Sequence, residues 1–314
     1  MTGVQPCPDG GDKAARWAGR RCPWQALWLL TALALLTATG CVSVPAQRSL
    51  MDDGFTAQAL APASITVTSW NIKKTKASGW PAYASQGTAA KRFGGIDLLL
   101  LQEACEPLDE PHDPLGKPLA DARLGWVFAT SFESRLLGCG GQRATGVLTA
   151  SSARPVSRIA LLSQNRELGI TPKSTLVTRY RLADRADTLL VVNTHLLNFE
   201  WRTLDDYSEQ VRAIGEAISA HRGPVILAGD LNTRNAARQA VVDRMADEHG
   251  LKPVFGQAAA GRTKAVVGGD LALDHIYYRG LHVIEEGVVG HESDTDISDH
   301  NSLSVGFAVD PGIN

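Results

Sequence analysis

Short apolar runs in this chain stop, again and again, on a polar residue. The clearest case is Pro224-Val-Ile-Leu-Ala-Gly-Asp-Leu-Asn-Thr233. Residues 225–228 show no polar alternation, which predicts a strand buried on both faces. That strand delivers Asp230 and Asn232 where a buried sheet meets solvent, the place where open α/β architectures put their chemistry. Residues two apart on an extended chain point the same way, so a carboxylate and an amide are expected to face one point. The same Asp, Asn and Thr also read as the cap of a helix predicted over residues 236–248.

Residues 65–70 alternate as a strand that ends at Asn71, followed by a loop carrying Lys73, Lys74 and Lys76. Residues 82–93 predict a helix stopped by Gly94-Gly95, and residues 96–101 a second buried strand ending in Gln102-Glu103. A carboxylate at such an end is costly unless a cation or a basic group sits beside it. A Pro-rich, irregular insertion is expected around residues 109–119. Residues 142–151, 156–163, 175–182 and 188–193 then read as successive strands with little helix between them, the last leading to His195. Residues 203–221 predict a helix with Tyr207, Val211, Ile214 and Ile218 on one face, running straight into the strand at 225–228. Strand-helix-strand succession marks a layered α/β domain. Asp274-His275 sits within residues 270–279, and Ser298-Asp-His-Asn301 precedes a closing strand at 303–309.

At 314 residues, 44% hydrophobic and 20% charged, the chain can bury one large core. Lys13, Arg16, Arg20 and Arg21 precede an apolar run at residues 26–38, too short to span a bilayer but suited to a signal segment. Ala38-Thr-Gly-Cys41 closes it and resembles the lipobox of bacterial lipoproteins, in which the cysteine is lipidated and becomes the first residue of the mature chain. Residues 1–40 are therefore expected to be a lipoprotein signal peptide, and residues 41–63, rich in Ala, Ser, Gln and Pro, a flexible tether. The expected product is exported and membrane-anchored in the bacterial cell envelope, as a monomer. Without residues 1–40 the chain has 27 Lys and Arg against 31 Asp and Glu, a net charge of −4. That balance argues against affinity gained by coating nucleic-acid phosphates and leaves the work to local basic groups such as Lys73, Lys74, Lys76, Arg143 and Arg234. Cys105 and Cys139 remain as an even pair that a bridge would join across the insertion.

Taken together, the polar endings are Asn71, Glu103, His195, Asp230 with Asn232, Asp274, and Asp299-His300. Carboxylates gathered at one sheet edge repel unless a hard divalent ion sits among them, and an oxygen-rich, thiol-free set suits Mg2+, Mn2+ or Ca2+. Histidine and asparagine donors placed opposite suit a phosphoryl group and its developing charge. The composition is that of a phosphoester hydrolysis site.

Seven pieces, Ser69-Trp-Asn71, Leu101-Gln-Glu103, residues 146–151, Asn193-Thr-His195, Gly229-Asp-Leu-Asn232, Leu273-Asp-His275 and Ser298-Asp-His300, resemble the endonuclease/exonuclease/phosphatase superfamily. They occur in that family's order over residues 64–310. The resemblance implies a four-layer α/β/β/α sandwich of two packed mixed sheets flanked by helices. It also implies Glu103 as principal metal ligand, with Asn71 and Asp299 near the ion. Asp230 would orient or deprotonate the attacking water, and Asn232 would hold a phosphate oxygen. His195 and His300 would bracket the phosphate, Asp274 fixing the tautomer of His300. Some nucleases of the family put a carboxylate behind the first histidine; here that region reads Gln142-Arg-Ala-Thr145, so His195 is expected to stay neutral. The expected activity is divalent-metal-dependent phosphodiester hydrolysis, with nucleic acid slightly favoured over phospholipid or small phosphoesters. The other class is a non-catalytic, membrane-tethered binding protein, against which the completeness of the set speaks. Asp294, Asp296 and Asp299 lack the glycine and distal Glu of an EF-hand loop. Asn198-Phe-Glu-Trp201 offers two aromatics for a stacking or lipid-facing lip beside His195.

Overall fold

The strands predicted from apolar runs are paired edge to edge in a computed structural model that describes residues 42–46, 49–76, 79–107, 115–134, 137–139, 143–199, 204–256, 271–290 and 297–311. In chain order the strands are β1 Val42–Ser43, β2 Ser49–Met51, β3 Ile65–Asn71, β4 Leu98–Pro107, β5 Gly125–Ser134, β6 Arg143–Ser151 and β7 Ser157–Leu162. They continue as β8 Ser174–Arg181, β9 Thr188–His195, β10 Val225–Asp230, β11 Lys252–Pro253, β12 Asp274–Arg279, β13 Leu281–Val289 and β14 Leu303–Val309. The helices are α1 Trp80–Ser85, α2 Thr88–Phe93, α3 Gly116–Asp121, α4 Leu204–Ser219 and α5 Ala236–Glu248. One sheet runs β1-β5-β6-β4-β3-β14-β13 with β2 also on β5, and the other runs β11-β12-β10-β9-β8-β7. Each is mixed: β3 with β4 and β9 with β10 are parallel, and their outer neighbours antiparallel.

Alternation along the buried strands decides the layers. Leu98 and Leu100 of β4 join Ile226 and Ala228 of β10 in the core between the sheets, while Leu99 and Leu101 pack against Trp80 and Phe93 of the first helical layer. Val225 and Leu227 turn the other way, onto Tyr207, Val211, Ile214 and Ile218 of α4. With period two, a strand covered on both sides must be apolar at every position. The result is the expected four-layer α/β/β/α sandwich.

Three local expectations change. The single helix expected over residues 82–93 is two, because Gly87 adopts a left-handed φ of 73° between them. The tether expected over residues 41–63 is not slack in its described part. Val42–Ser43 and Ser49–Met51 pair with β5, and Leu60 is buried in the inter-sheet core. Short edge strands of mixed polarity carry little periodicity, which hides them in the sequence. The irregular insertion is helical at its end, where Leu115 and Leu119 bury against the first sheet. Residues 1–41 and 108–114 lie outside the described residues.

Cys105 and Cys139 are joined by a disulfide across a sequence separation of 34. Closing a loop of that size restricts the unfolded chain and is worth about 3–4 kcal/mol. Cys139→Ser is therefore expected to lose that much in urea unfolding, and reduction of the parent protein to match it. A loss under about 1 kcal/mol would mean that the unfolded chain is already restrained there.

Candidate active site

The topology explains why the polar endings meet. The parallel pairing of β3 with β4 stops at Asn71 and Gln102, although β4 runs on to Pro107 and so holds Glu103 in mid-strand where an end was expected, and β9 and β10 end at His195 and Asp230, which are register partners. The antiparallel neighbours start where these end: Asp274 opens β12 opposite Asp230, and residues 298–301 lead into Leu303, the partner of Ser69. One edge thus collects strand ends and strand beginnings from both sheets.

Two glycines permit the close approach. A Cβ at Gly229 (φ 144°) would lie 1.9 Å from Thr194 O, and one at Gly146 would lie 2.0 Å from Ala129 O. Opposite Gly146, the β4–β6 register shifts between Leu101 and Ala104, and within that bulge Glu103 takes a φ of 51°. A non-glycine residue held in the left-handed region costs about 1–3 kcal/mol and persists where its surroundings hold it. The hold is visible. Gln102 Nε2 donates to Asn193 Oδ1 at 2.9 Å, and Asn193 Nδ2 to Leu148 O at 2.9 Å, tying the two sheets together behind Glu103 and His195. The Gln and Asn of these two motifs therefore cross-link sheets, a role that no periodicity announces. The turn after Asp230 is clamped as well: Tyr207 Oη donates to Leu231 O at 2.6 Å, and the fully buried Arg238 donates to Asn232 O at 2.9 Å.

Asp230 is the hub. Its Oδ2 accepts from Asn71 Nδ2 at 3.0 Å and lies 3.6 Å from His195 Nε2 and 3.8 Å from His300 Nε2, while Oδ1 accepts from the Asn232 backbone N–H at 3.1 Å. His300 Nδ1 is 2.8 Å from Asp274 Oδ2. Its loop is fixed by Trp70 Nε1 donating to His300 O at 2.9 Å and by Ser298 Oγ donating to Asn71 O at 2.6 Å. Asp299 meets Lys73 Nζ at 3.6 Å, and Glu103 pairs with Lys74. Glu103, His195, Lys74 and Lys173 share the wall of one cavity of about 300 Å³. A second cavity of about 270 Å³, between β7 and α4, is lined by none of the strand-end residues.

The capping alternative for Asp230 and Asn232 is not what the structure shows. Asn235 caps α5, its side chain accepting from Arg238 N. Asn232 is not extended beside Asp230 either: its φ is 50° and its Nδ2 donates to Leu196 O at 2.9 Å, leaving the second N–H of that amide for another acceptor. Lys173 joins the site without any mark in the sequence. It lies 3.4 Å from His195 Nε2 and 3.3 Å from Glu167 Oε2, at a strand start that carries no recognisable signal.

Burial pushes the Glu103 carboxyl up, but Lys74 foremost, then His195 and Lys173, hold it well below the usual carboxylate range. Burial, reinforced by Lys173, pushes His195 down to about 3 against the pull of Asp230 and Glu103. At neutral pH His195 is therefore uncharged, and the two lysines carry the effect on Glu103. An ammonium can only donate, so Lys173 favours a lone pair on His195 Nε2, while the Asp230 carboxylate 3.6 Å from the same nitrogen favours a proton there. Burial likewise pushes His275 down to about 4. Both histidines refuse protons in the fold that the unfolded chain takes up below about pH 6.5. Their contribution to stability is thus complete above pH 6.5 and shrinks as pH falls toward 4, by at most about 1.4 kcal/mol per pH unit for each. Urea midpoints should drop from pH 7 to pH 4.5, less steeply in His195→Gln. An equal slope in that variant would place the proton uptake elsewhere.

Asp230, Asp274 and His300 place ligand-type atoms within 4.8 Å of one another, the one such group among the described residues. His300 Nδ1 is committed to Asp274, however, so this group reads better as a carboxylate-imidazole pair beside a base. Asn71, Glu103 and Asp299 offer oxygen donors alone, and both carboxylates already face an ammonium. That chemistry fits a hard divalent cation. Asp294 and Asp296, Gln142, and Glu200 with Trp201 lie outside the described residues.

The sequence profile of the Endonuclease/Exonuclease/phosphatase family matches residues 68–300. A UPF0294 protein of Vibrio vulnificus (strain CMCP6) is 33% identical over 250 residues, 78% of this chain and 78% of that protein. A UPF0294 protein of Klebsiella pneumoniae (strain 342) is 34% identical over 245 residues, 78% and 82%. Among solved structures, an endonuclease/exonuclease/phosphatase from Beutenbergia cavernae superposes with a TM-score of 0.62 at 18% identity, over 79% of this chain and 72% of that one. The human Nocturnin catalytic domain with bound sulfate anion superposes with a TM-score of 0.57 at 16% identity, over 80% and 96%.

Proposed function

The chain belongs to the endonuclease/exonuclease/phosphatase family, whose fold is that of a phosphoesterase hydrolase, and on that footing we propose a divalent-metal-dependent phosphodiester hydrolase, exported and anchored through lipidated Cys41. The observation that carries the reading is Asp230. A buried carboxylate held by Asn71 and Asn232 from two sides, with two imidazoles within 4 Å, is placed to take a proton from a water beside a bound phosphate. Asp274 orients His300, and the remaining amide N–H of Asn232 and the Lys173 ammonium are the donors for phosphate oxygens. Asn71, Glu103 and Asp299 would hold Mg2+, Mn2+ or Ca2+, which when bound supplies positive charge for the charge that builds on those oxygens.

The narrower reading taken from the resemblance is nucleic acid. A lipid phosphodiester is the second, favoured by the apolar part of the cavity wall at Phe132, Leu137, Leu168 and Ile170. The test is a panel of the purified protein against DNA, RNA, sphingomyelin, nucleotides, inositol phosphates and bis(p-nitrophenyl) phosphate, with each metal and with EDTA. Turnover that needs metal supports the reading; turnover untouched by EDTA sinks the metal dependence, and no turnover of any ester sinks the hydrolase and leaves the binding-protein alternative.

A further inference from the structure

The segment after Cys41 has lost its slack, and that changes what the anchored end can do. A free chain over residues 41–63 would span roughly 25 Å and let the domain hang away from a membrane. Instead Val42, one residue from Cys41, is the register partner of Ser134, and Ser43 Oγ reaches Glu133 at 3.2 Å. Ser134 lies two residues beyond Phe132, a wall of the cavity, so roughly 7 Å of strand and a ~5 Å strand-to-strand step separate Val42 from it. Ser134 Oγ also accepts from Leu137 N at 3.0 Å, and Leu137 lines the same cavity.

The rim there is apolar where a solvated rim would be polar. Leu137 is 36% exposed, Leu168 54% and Phe199 52%. Leu168 sits at a hairpin tip with φ 50°, beside the Glu167–Thr171 bridge. Glycine or asparagine would be at ease in that conformation, and a half-exposed leucine is not. Phe199 follows Asn198, whose N–H donates to Glu167 Oε1 at 2.6 Å, which places it near the same tip. The Arg234 guanidinium lies 5.4 Å over the Phe199 ring, pairing an aromatic with a cation as membrane-interface residues do.

We propose that this rim, Leu137, Leu168 and Phe199 with Arg234, is a membrane-seating face: acylated Cys41 pins it against the lipid surface, and the catalytic cavity opens onto the head-group layer. The seating rests on lipidation of Cys41, while its functional consequence, that phosphodiesters carried in or on the membrane plane reach the site first, rests on the hydrolase reading. A net charge of −4 without residues 1–40 opposes approach to an anionic surface, and acyl chains with apolar side chains supply the attraction that outweighs it.

The two readings fail separately. Leu168→Cys in the full chain, labelled with an environment-sensitive fluorophore, is placed in vesicles of phosphatidylethanolamine and phosphatidylglycerol. A control label goes at Glu248, near His249, whose carbonyl accepts from Arg279 at the far end of the strands. The label at 168 should shift to the blue and be quenched by lipid-borne nitroxide, with no such change at 248. In Cys41→Ser both effects should vanish. Equal solvent exposure of both labels in the vesicle-bound protein overturns the seating, as does mass spectrometry finding Cys41 without acyl chains. In the same vesicles Leu168→Glu should cut the ratio of phospholipid to bis(p-nitrophenyl) phosphate turnover at least tenfold; an unchanged ratio overturns the claim that the cavity opens on the head groups. If the label is buried in lipid but neither ester is consumed with any metal, the seating stands and the hydrolase reading falls.

Discussion

Glu103→Gln is expected to lower phosphodiester turnover about a thousandfold or more and to weaken Mn2+ binding at least tenfold, with little change in fold. Glutamine fills the same volume in the β4 bulge and keeps the hydrogen-bonding shape, so the backbone at φ 51° has no new reason to move. What changes is charge. Lys74 and Lys173 then face the cavity without the carboxylate that balances them, and the oxygen set of Asn71, Glu103 and Asp299 loses its strongest donor. Because the Lys74–Glu103 pair is partly solvated, its loss should cost about 1 kcal/mol or less of stability. Turnover and Mn2+ affinity measured side by side decide between two cation sites. If the variant keeps both within a few-fold of the parent, the ion belongs among Asp230, Asp274 and His300, and the assignment to Glu103 is wrong.

Much of this was legible because a strand buried on both faces has to be apolar throughout, so a polar residue at its end stands out. Asn71, His195 and Asp230 were visible for that reason, Glu103 because the apolar run of β4 stops before it although the strand continues to Pro107, and α5 spans Ala236–Glu248 as its pattern predicts. What stayed hidden depends on contacts distant in sequence. The bulge that turns Glu103 lies opposite Gly146, where β6 comes too close to β5 for a Cβ, and nothing near Glu103 in the sequence says so. β13 alternates weakly because most of it is exposed, and β5 lies beyond an insertion that draws the eye as a loop. Lys173 is an ordinary lysine until the fold places it against His195. The same holds for residues 42–51, whose mixed polarity without a period suits a tether as well as a short edge strand.

Asp274→Asn should cost about a hundredfold to ten-thousandfold in kcat while leaving the domain folded. Asp274 and His300 are both buried, and their 2.8 Å contact fixes one ring nitrogen and so the orientation and proton placement of the other, 3.8 Å from Asp230. Asparagine is nearly isosteric, but its amide can present an N–H to His300 Nδ1, which moves the ring proton to Nε2 and turns the face toward Asp230 from one tautomer to the other. If the pair acts as a unit, Asp274→Asn on top of His300→Ala should add almost nothing to the loss from His300→Ala alone. Additive losses would mean that Asp274 acts on Asp230 across the β10–β12 register and not through His300. A matched fall in thermal stability and in kcat would assign the residue to folding. A loss confined to kcat, with the double variant no worse than His300→Ala, would leave proton placement on His300 as the job Asp274 performs.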